Sequence, residues 1–308
     1  TLSLHDALPI LLKAGVSVKD VLSGGLSGSL DLAAAGGLDL AIAAETAASA
    51  MTQFKLSGDQ VPRIADALAA GAGKAQGDVS DLAQALGQSG LVASQFGLSL
   101  EDTVGGLSAF ASAGLMGSDA GTSMKTMLLA LAKPSAEAAG LMEDLGINAY
   151  DAQGRFVGLE GLAGQLRDSL GGLTEEQRQS TLATIFGTDA IRSASVLYEQ
   201  GAEGIAKWTD AVSDAGYAAE VAAIMQDNLA GDLEKLGGAV DTLMIKLGEG
   251  QNAPLRELAQ GVTAIVDAAS ANPAAVANMG KWLAGIAVGA VAIGTAMKVA
   301  TAVSEFQI

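Results

Sequence analysis

The chain has no cysteine and a single histidine, His5, in 308 residues. Without cysteine there is no disulfide, no thiolate nucleophile and no sulfur cage for a metal, and one imidazole cannot complete a zinc or transition-metal ligand set. The same scarcity removes the bases that activate serine or cysteine nucleophiles, and no GxSxG elbow is present. Lack of cysteine fits a reducing cytoplasm. Aromatic residues make up 4% and proline 5 positions, whereas apolar residues make up 50% and glycine 40 positions. A core of that composition is built from slender helices that pack through small residues. Basic charge is also short: 17 Lys and Arg face 34 Asp and Glu, a formal charge of −17. That is the wrong sign for gripping phosphates, and no basic cluster compensates, so specific nucleic-acid binding is not expected.

What is present is helical patterning. From Val21 to Leu131 apolar positions recur at helical spacing, interrupted by turns containing glycine. LDLAAAGGLDLAIAA, ALAAGAGKAQGDVSDLAQAL and LSAFASAGLMGSDAGTSM each read as an Ala-rich helix end, a glycine turn and a polar cap. Gly36, Gly73 and Gly114 mark the three turns, at about the spacing of helical repeats. The expected fold is all-α: consecutive α-hairpins with one small β-hairpin insertion near 147–158 and long C-terminal helices. Ser57 with Gln60 and Thr174 with Gln177 have capping-box spacing, and Ser99 with Asp102 is a weaker form of it. Asn272 before Pro273 reads as another helix start, and Pro134 as a helix break.

INAYDAQGRFVG, residues 147–158, alternates instead. Gly154 can supply the positive φ of a hairpin turn, and Tyr150 and Phe156 are the natural anchors against neighbouring helices. Past 230 the pattern changes to elongated amphipathic helices over 231–271, with Gly248–Glu249–Gly250 and Pro254 as a corner. We therefore expect a helical core over 11–230, an elongated section over 231–271 and an apolar helix over 272–308.

Candidate chemistry is thin. Glu101–Asp102, Glu143–Asp144 and Glu175–Glu176 are adjacent pairs, and adjacent residues on a helix do not face each other. Two of the pairs fall in first turns, where acids complement the helix dipole. Lys74 lies among glycines but lacks the GxxxxGK[ST] spacing and a preceding strand, so it reads as part of a turn. No catalytic, cofactor-binding or metal-binding residue is expected.

The C-terminal segment has two readings. WLAGIAVGAVAIGTAM, Trp282 to Met297, carries no charge and lies between Lys281 and Lys298. Its length is roughly 24 Å as a helix, or about 33 Å if Lys298 snorkels and the helix reaches Val303, enough to cross a bilayer. Gly285 and Gly289 form a GxxxG face for close helix pairing, and Gly294 lies further along the same candidate membrane segment. The other reading is a buried helix in a small-residue bundle.

Four segments, in order, carry a resemblance: AGLMGSDAGTSMKTMLLALAKPS, LGINAYDAQGRF, LATIFGTDA and MQDNLAGDLEKLGGA. Together, over about 21–270, the chain resembles the core region of bacteriophage tail tape measure proteins. That resemblance implies a structural role: copies of a helical chain fill the tail lumen while tube subunits assemble around them, and chain length sets tail length. It implies as partners the tail tube protein, tail assembly chaperones, tail tip or baseplate proteins, other copies of the chain and the host inner membrane. It also implies assembly in the host cytoplasm, residence in the virion and help for DNA crossing the envelope, a role suited to 282–303. Acidity would repel passing DNA in such a lumen, although ordinary solubilising charge is the simpler account. The alternative is a membrane-active, pore-forming or toxin-like helical protein. TLSLHDALPI, residues 1–10, is what one reading frame of a common sequencing adapter encodes, so it reads as an artefact that truncates a longer gene.

Overall fold

Small residues and short turns dictate a stack of helical hairpins. The computed structural model describes residues 4–13 and 16–225. The chain divides into two compact units, 2–223 and 224–308 with Thr1, and only the first is described at length. Its elements are α1 (Leu4–Lys13), α2 (Val18–Asp20), a π-helical turn (Val21–Gly25), α3 (Leu26–Gly36), α4 (Leu40–Phe54), a 3-10 turn (Gly58–Gln60), α5 (Val61–Lys74), α6 (Val79–Gln95), α7 (Leu100–Ser112), α8 (Gly117–Ala132), α9 (Ala136–Asp144), α10 (Gly158–Leu170), α11 (Glu175–Phe186) and α12 (Ile191–Val212). The chain is helical again from 217 to 225. The expectations for 231–271, for Asn272–Pro273 and for Trp282, Gly285, Gly289, Gly294, Lys281 and Lys298 lie outside the described residues.

Helices α3 to α8 form three hairpins stacked side by side. Odd helices α3, α5 and α7 pack as one layer and even helices α4, α6 and α8 as the other, with each helix also touching its sequence neighbour. Within a layer the helices run parallel: Gly117 lies against Asp81 and Gln84, and four residues on Gly121 lies against Ala85 and Gln88. Arg63 meets Glu101 at one end of α5–α7, and Gly71 meets Ser108 at the other. The all-α expectation therefore holds, in the layered form of a short helical solenoid. Its turns use glycines in the left-handed region, Gly37 (φ 61°), Gly77 (φ 95°) and Gly114 (φ 86°). Gly36 and Gly73, expected at turns, are instead the last helical residues of α3 and the last turn of α5.

Close crossing explains the remaining glycines. A Cβ on Gly28 would lie 2.7 Å from the Pro62 nitrogen, and one on Gly121 would lie 2.2 Å from the Ala85 carbonyl oxygen. Backbones this close leave Phe110, Leu107, Met124, Met127 and Leu128 fully buried between layers, each such side chain contributing about 1.5–3 kcal/mol by leaving water. The odd layer is then covered by α12, which packs on α5 and α7 and pairs with α10. Gly201 (φ 62°, ψ −175°) breaks α12, and Arg167 of α10 fills the break by donating to the Glu199 carbonyl at 2.8 Å. At the other end, Leu11 of α1 is fully buried and α1 packs on α4.

Helix starts follow the expected chemistry with one exception. Ser99 with Asp102 and Thr174 with Gln177 form reciprocal capping boxes, as do Asp78 and Asp81. Ser135, directly after Pro134, caps α9 by accepting from the Ala138 N–H at 3.1 Å. Ser57 and Gln60 do not form a box. The 3-10 turn delays the helix by three residues, so Gln60 itself occupies the cap position; the Ser57 hydroxyl donates to Asp59 and the Gln60 side-chain Oε1 accepts from the Arg63 guanidinium at 3.1 Å.

The expected β-hairpin over 147–158 is a correction. Among the described residues there is no strand, and this segment has one isolated antiparallel bridge, Tyr150 with Phe156. The backbone bonds Asp151 N–H to Arg155 C=O (2.8 Å) and Val157 N–H to Ala149 C=O (3.0 Å) close the loop. α10 then begins at Gly158 (φ 81°), which leaves no length for a further rung.

Candidate functional surface

The residues singled out from sequence do not converge on a reaction site. Glu101 pairs with Arg63 while Asp102 caps α7, Glu175 and Glu176 lie in the first turn of α11, and Glu143 and Asp144 end α9 in solvent. Among the described residues no group of three or more His, Asp or Glu side chains is arranged to hold a metal. Lys74 ends α5, where its Nζ donates to the Ala211 carbonyl and the Asp214 carboxylate, both at 2.8 Å. A cleft of about 680 Å³ lies between Arg63, Asp66 and Ser99 on one side and Thr209, Ser213 and Asp214 on the other. Its charged groups are engaged: Arg63 with Glu101, Asp214 with Lys74, Asp66 with the Gly216 and Ala218 N–H groups and Asp59 with the Ser57 hydroxyl.

The corner at 150–156 is tied down by hydrogen bonds and is partly apolar. Phe96, at the end of α6, meets Phe156 edge-on with centroids 5.4 Å apart, and Tyr150 lies 6.3 Å from Phe156 and 6.5 Å from Phe96. Gly154 (φ 75°) turns the loop with open space where a Cβ would be. Asp151 accepts from the Gln153 and Arg155 N–H groups at 2.9 and 2.8 Å and forms an ion pair with the Arg155 side chain. The Arg155 N–H is the main cause that holds the Asp151 carboxyl below the usual carboxylate range. Gln165 of α10 fastens the segment from the other side, accepting from the Asn148 N–H at 2.6 Å and donating to its carbonyl at 3.0 Å. Phe156 is half-buried and Tyr150 is exposed.

A larger feature, missed in the sequence, is the outer face of the even layer. Its central helix α6 exposes Gln84, Gly87, Gln88, Leu91 and Gln95, a stripe without charge on an acidic protein. Ile42 on α4, Leu91 on α6 and Leu129 on α8 are 51%, 56% and 50% exposed. Helical spacing alone cannot separate such residues from core, because each adjoins buried positions of its own helix. The absence of Asp, Glu, Lys and Arg between Leu82 and Leu100 was the available signal.

Among the described residues no single helix is long and apolar enough to cross a membrane, and the α3–α4 pair that satisfies length and composition jointly is bent by 118°.

The family model for the phage-related minor tail protein matches residues 3–187, which is the stack through α11. The chain is similar to the tape measure protein of Pneumococcus phage Dp-1, 35% identical over 259 residues that are 84% of this chain and 22% of the relative. It is also similar to the "Probable tape measure protein" of Escherichia phage P2, 30% identical over 262 residues, 83% of this chain and 32% of that protein. The chain thus spans between about a fifth and a third of the length of these relatives. No solved structure matches it. On this match the chain belongs to the phage-related minor tail protein family, a structural component of phage tails in the region it shares with tape measure proteins.

Proposed function

We propose that this chain is the helical core of a tape measure: a scaffold inside the tail, around which tube subunits assemble and whose total length sets the length of the tail. The observation that carries the reading is the continuous similarity to two tape measure proteins over more than four-fifths of the chain. In this role the protein works by contact and not by catalysis. The uncharged stripe of α6 with Leu91 at its centre, flanked by Ile42 on α4 and Leu129 on α8, is the surface on which tail tube, chaperone or tail-tip proteins would settle, because docking on α6 itself desolvates no charge. Further copies of the chain would pack alongside in the lumen. The net acidity keeps DNA from adhering as it passes, and the apolar segment 282–303 would enter the host inner membrane during delivery. The alternative of an independent pore-forming protein has no comparable support, since it leaves the family match over 3–187 unaccounted for.

The test is genetic and visual. The parent phage is rebuilt with the codons for 226–308 duplicated in frame, and virion tails are measured by electron microscopy. Added residues that run helically along the tail lengthen it by up to about 1.5 Å each. Intact tails of unchanged length would remove the ruler role. Absence of the chain from purified virions by mass spectrometry would remove the lumen location as well.

A further inference from the structure

α12 ends at Val212, the chain turns through 213–216 and helix resumes at 217. Three residues of α5 hold this corner. The Asp66 carboxylate accepts from the Gly216 N–H at 2.8 Å and from the Ala218 N–H at 3.0 Å, and so caps the new helix from a different part of the chain. Lys74 donates to the Ala211 carbonyl and to Asp214, and its ammonium lies 4.8 Å from the centre of the Tyr217 ring. Gly73 makes room for that ring, since a Cβ there would lie 2.4 Å from the Tyr217 hydroxyl.

The apolar grip on the same segment is slight. Between 217 and 223 only Ala218 and Ala222 are buried, whereas α12 buries Val196, Leu197, Ile205 and Val212. An alanine withdraws little surface from water, so the burial that fixes α12 is missing here. Beside the half-buried Tyr217 ring, what remains is polar and peripheral: the Lys74 and Asp214 side chains are 32% and 51% exposed, a pair that solvent and salt screen. Segments held by few apolar contacts and exposed hydrogen bonds open first, at free energies well below global unfolding. Gly216, at φ 87°, is the pivot about which such an opening would turn.

We propose that residues 213–223 form a latch, a strap that detaches from α5 as one unit while the hairpin stack and α12 stay folded. A force or partner acting on the strap could then redirect the chain without unfolding the core. The inference rests on this corner alone and does not depend on the tape measure reading.

Hydrogen–deuterium exchange on the full 308-residue chain tests it. In the unaltered protein the amides of 217–223 should exchange at least about tenfold faster than those of α7, which marks a local opening. Asp66→Ala should speed 216–223 by about a further fivefold and leave α7 and α8 unchanged, with Asp66→Asn, which keeps one acceptor oxygen, falling between. Exchange of 217–223 in step with α7 in the unaltered protein would overturn the proposal. So would an Asp66→Ala protein whose helices all quicken equally, or one in which 216–223 does not quicken at all. Should Asp66→Ala fail to fold, Lys74→Gln reads the same outcomes from the other tie.

Discussion

The two layers of the hairpin stack are built alike inside and finished differently outside. Of the odd helices, α5 and α7 present an outer surface that α12 covers, while the even helices α4, α6 and α8 leave the stripe centred on α6 in solvent. Composition explains why each is stable. Facing α12, Gly105 lets the backbone of Thr209 approach to 2.8 Å of where a Cβ would be, so two helices fit as closely as their main chains allow. Facing solvent, α6 offers Gln84, Gln88 and Gln95, which stay hydrated without needing a cover. A face that tolerates water but carries no charge can also be covered at little desolvation cost. The contrast separates what holds the stack together from what it can offer to a partner.

The largest effect should come from crowding the buried side of α6. Gly121→Val places a branched side chain where a Cβ already lies 2.2 Å from the Ala85 carbonyl. It should cost about 3 kcal/mol or more, read as a lower urea midpoint. Gly87→Ala, on the bare side of the same helix, has nothing within 4 Å of its Cβ. It should raise stability by about 0.5–1 kcal/mol through helix propensity. Equal losses from both would mean that α6 is enclosed on all sides, and the contrast between the layers would fail.

Across the α8–α12 contact, the Ser123 hydroxyl donates to the Asp189 carbonyl at 2.9 Å and accepts from the Ser193 N–H at 3.3 Å, a cap for α12 lent by another helix. Ser123→Ala should cost about 1–2 kcal/mol, since it leaves the buried Ser193 N–H and the partly buried Asp189 carbonyl without this partner. Ser108 is fully buried but has no hydrogen-bond partner, so Ser108→Ala should be neutral or stabilising. Thermal melts of the two variants compare a used hydroxyl with an idle one.

Much of this was legible beforehand. The caps at Ser99 and Thr174 and the break at Pro134 are local, and local rules located them. Gly114 was located directly, but the other turn glycines only to within a few residues, because Gly36 and Gly37 look alike until one is seen to sit under Val79 and the other to need a positive φ. The strand pairing expected at 147–158 failed because alternation cannot show that Asp151 folds the loop onto its own N–H groups. The α12 cover, the Ser123 cap and the strap at 213–223 depend on residues 66 to 152 positions apart in sequence. Such separations are invisible to spacing arguments.

On the even layer, the triple change Ile42→Glu, Leu91→Glu and Leu129→Glu should leave the free energy of unfolding within about 1 kcal/mol, because exposed positions contribute little. In the phage it should abolish or shorten tails, if the face meets tail proteins as proposed. A drop in stability comparable to that of a core substitution would show that these side chains are already covered, and normal tails would show that the face is idle.

The smallest effect tests the odd layer at its outer edge. Burial, and then the nearby charge of Asp66, raise the Asp31 carboxyl above its ordinary range. The fold therefore prefers Asp31 protonated, and its ionised form weakens the protein at neutral pH. That penalty is absent below the unfolded carboxyl's pKa, about 3.9, and grows to its full value as pH rises past the higher folded one. Asp31→Asn removes it, and should stabilise the protein by a few tenths of a kcal/mol at pH 7, the partial exposure of Asp31 keeping the gain small. Melts at pH 7 and pH 3.5 decide the matter: the advantage of the variant should shrink on acidification. An advantage that stays constant would assign it to packing, whereas one that grows in acid would mean that Asp31 is held ionised by a partner in the fold.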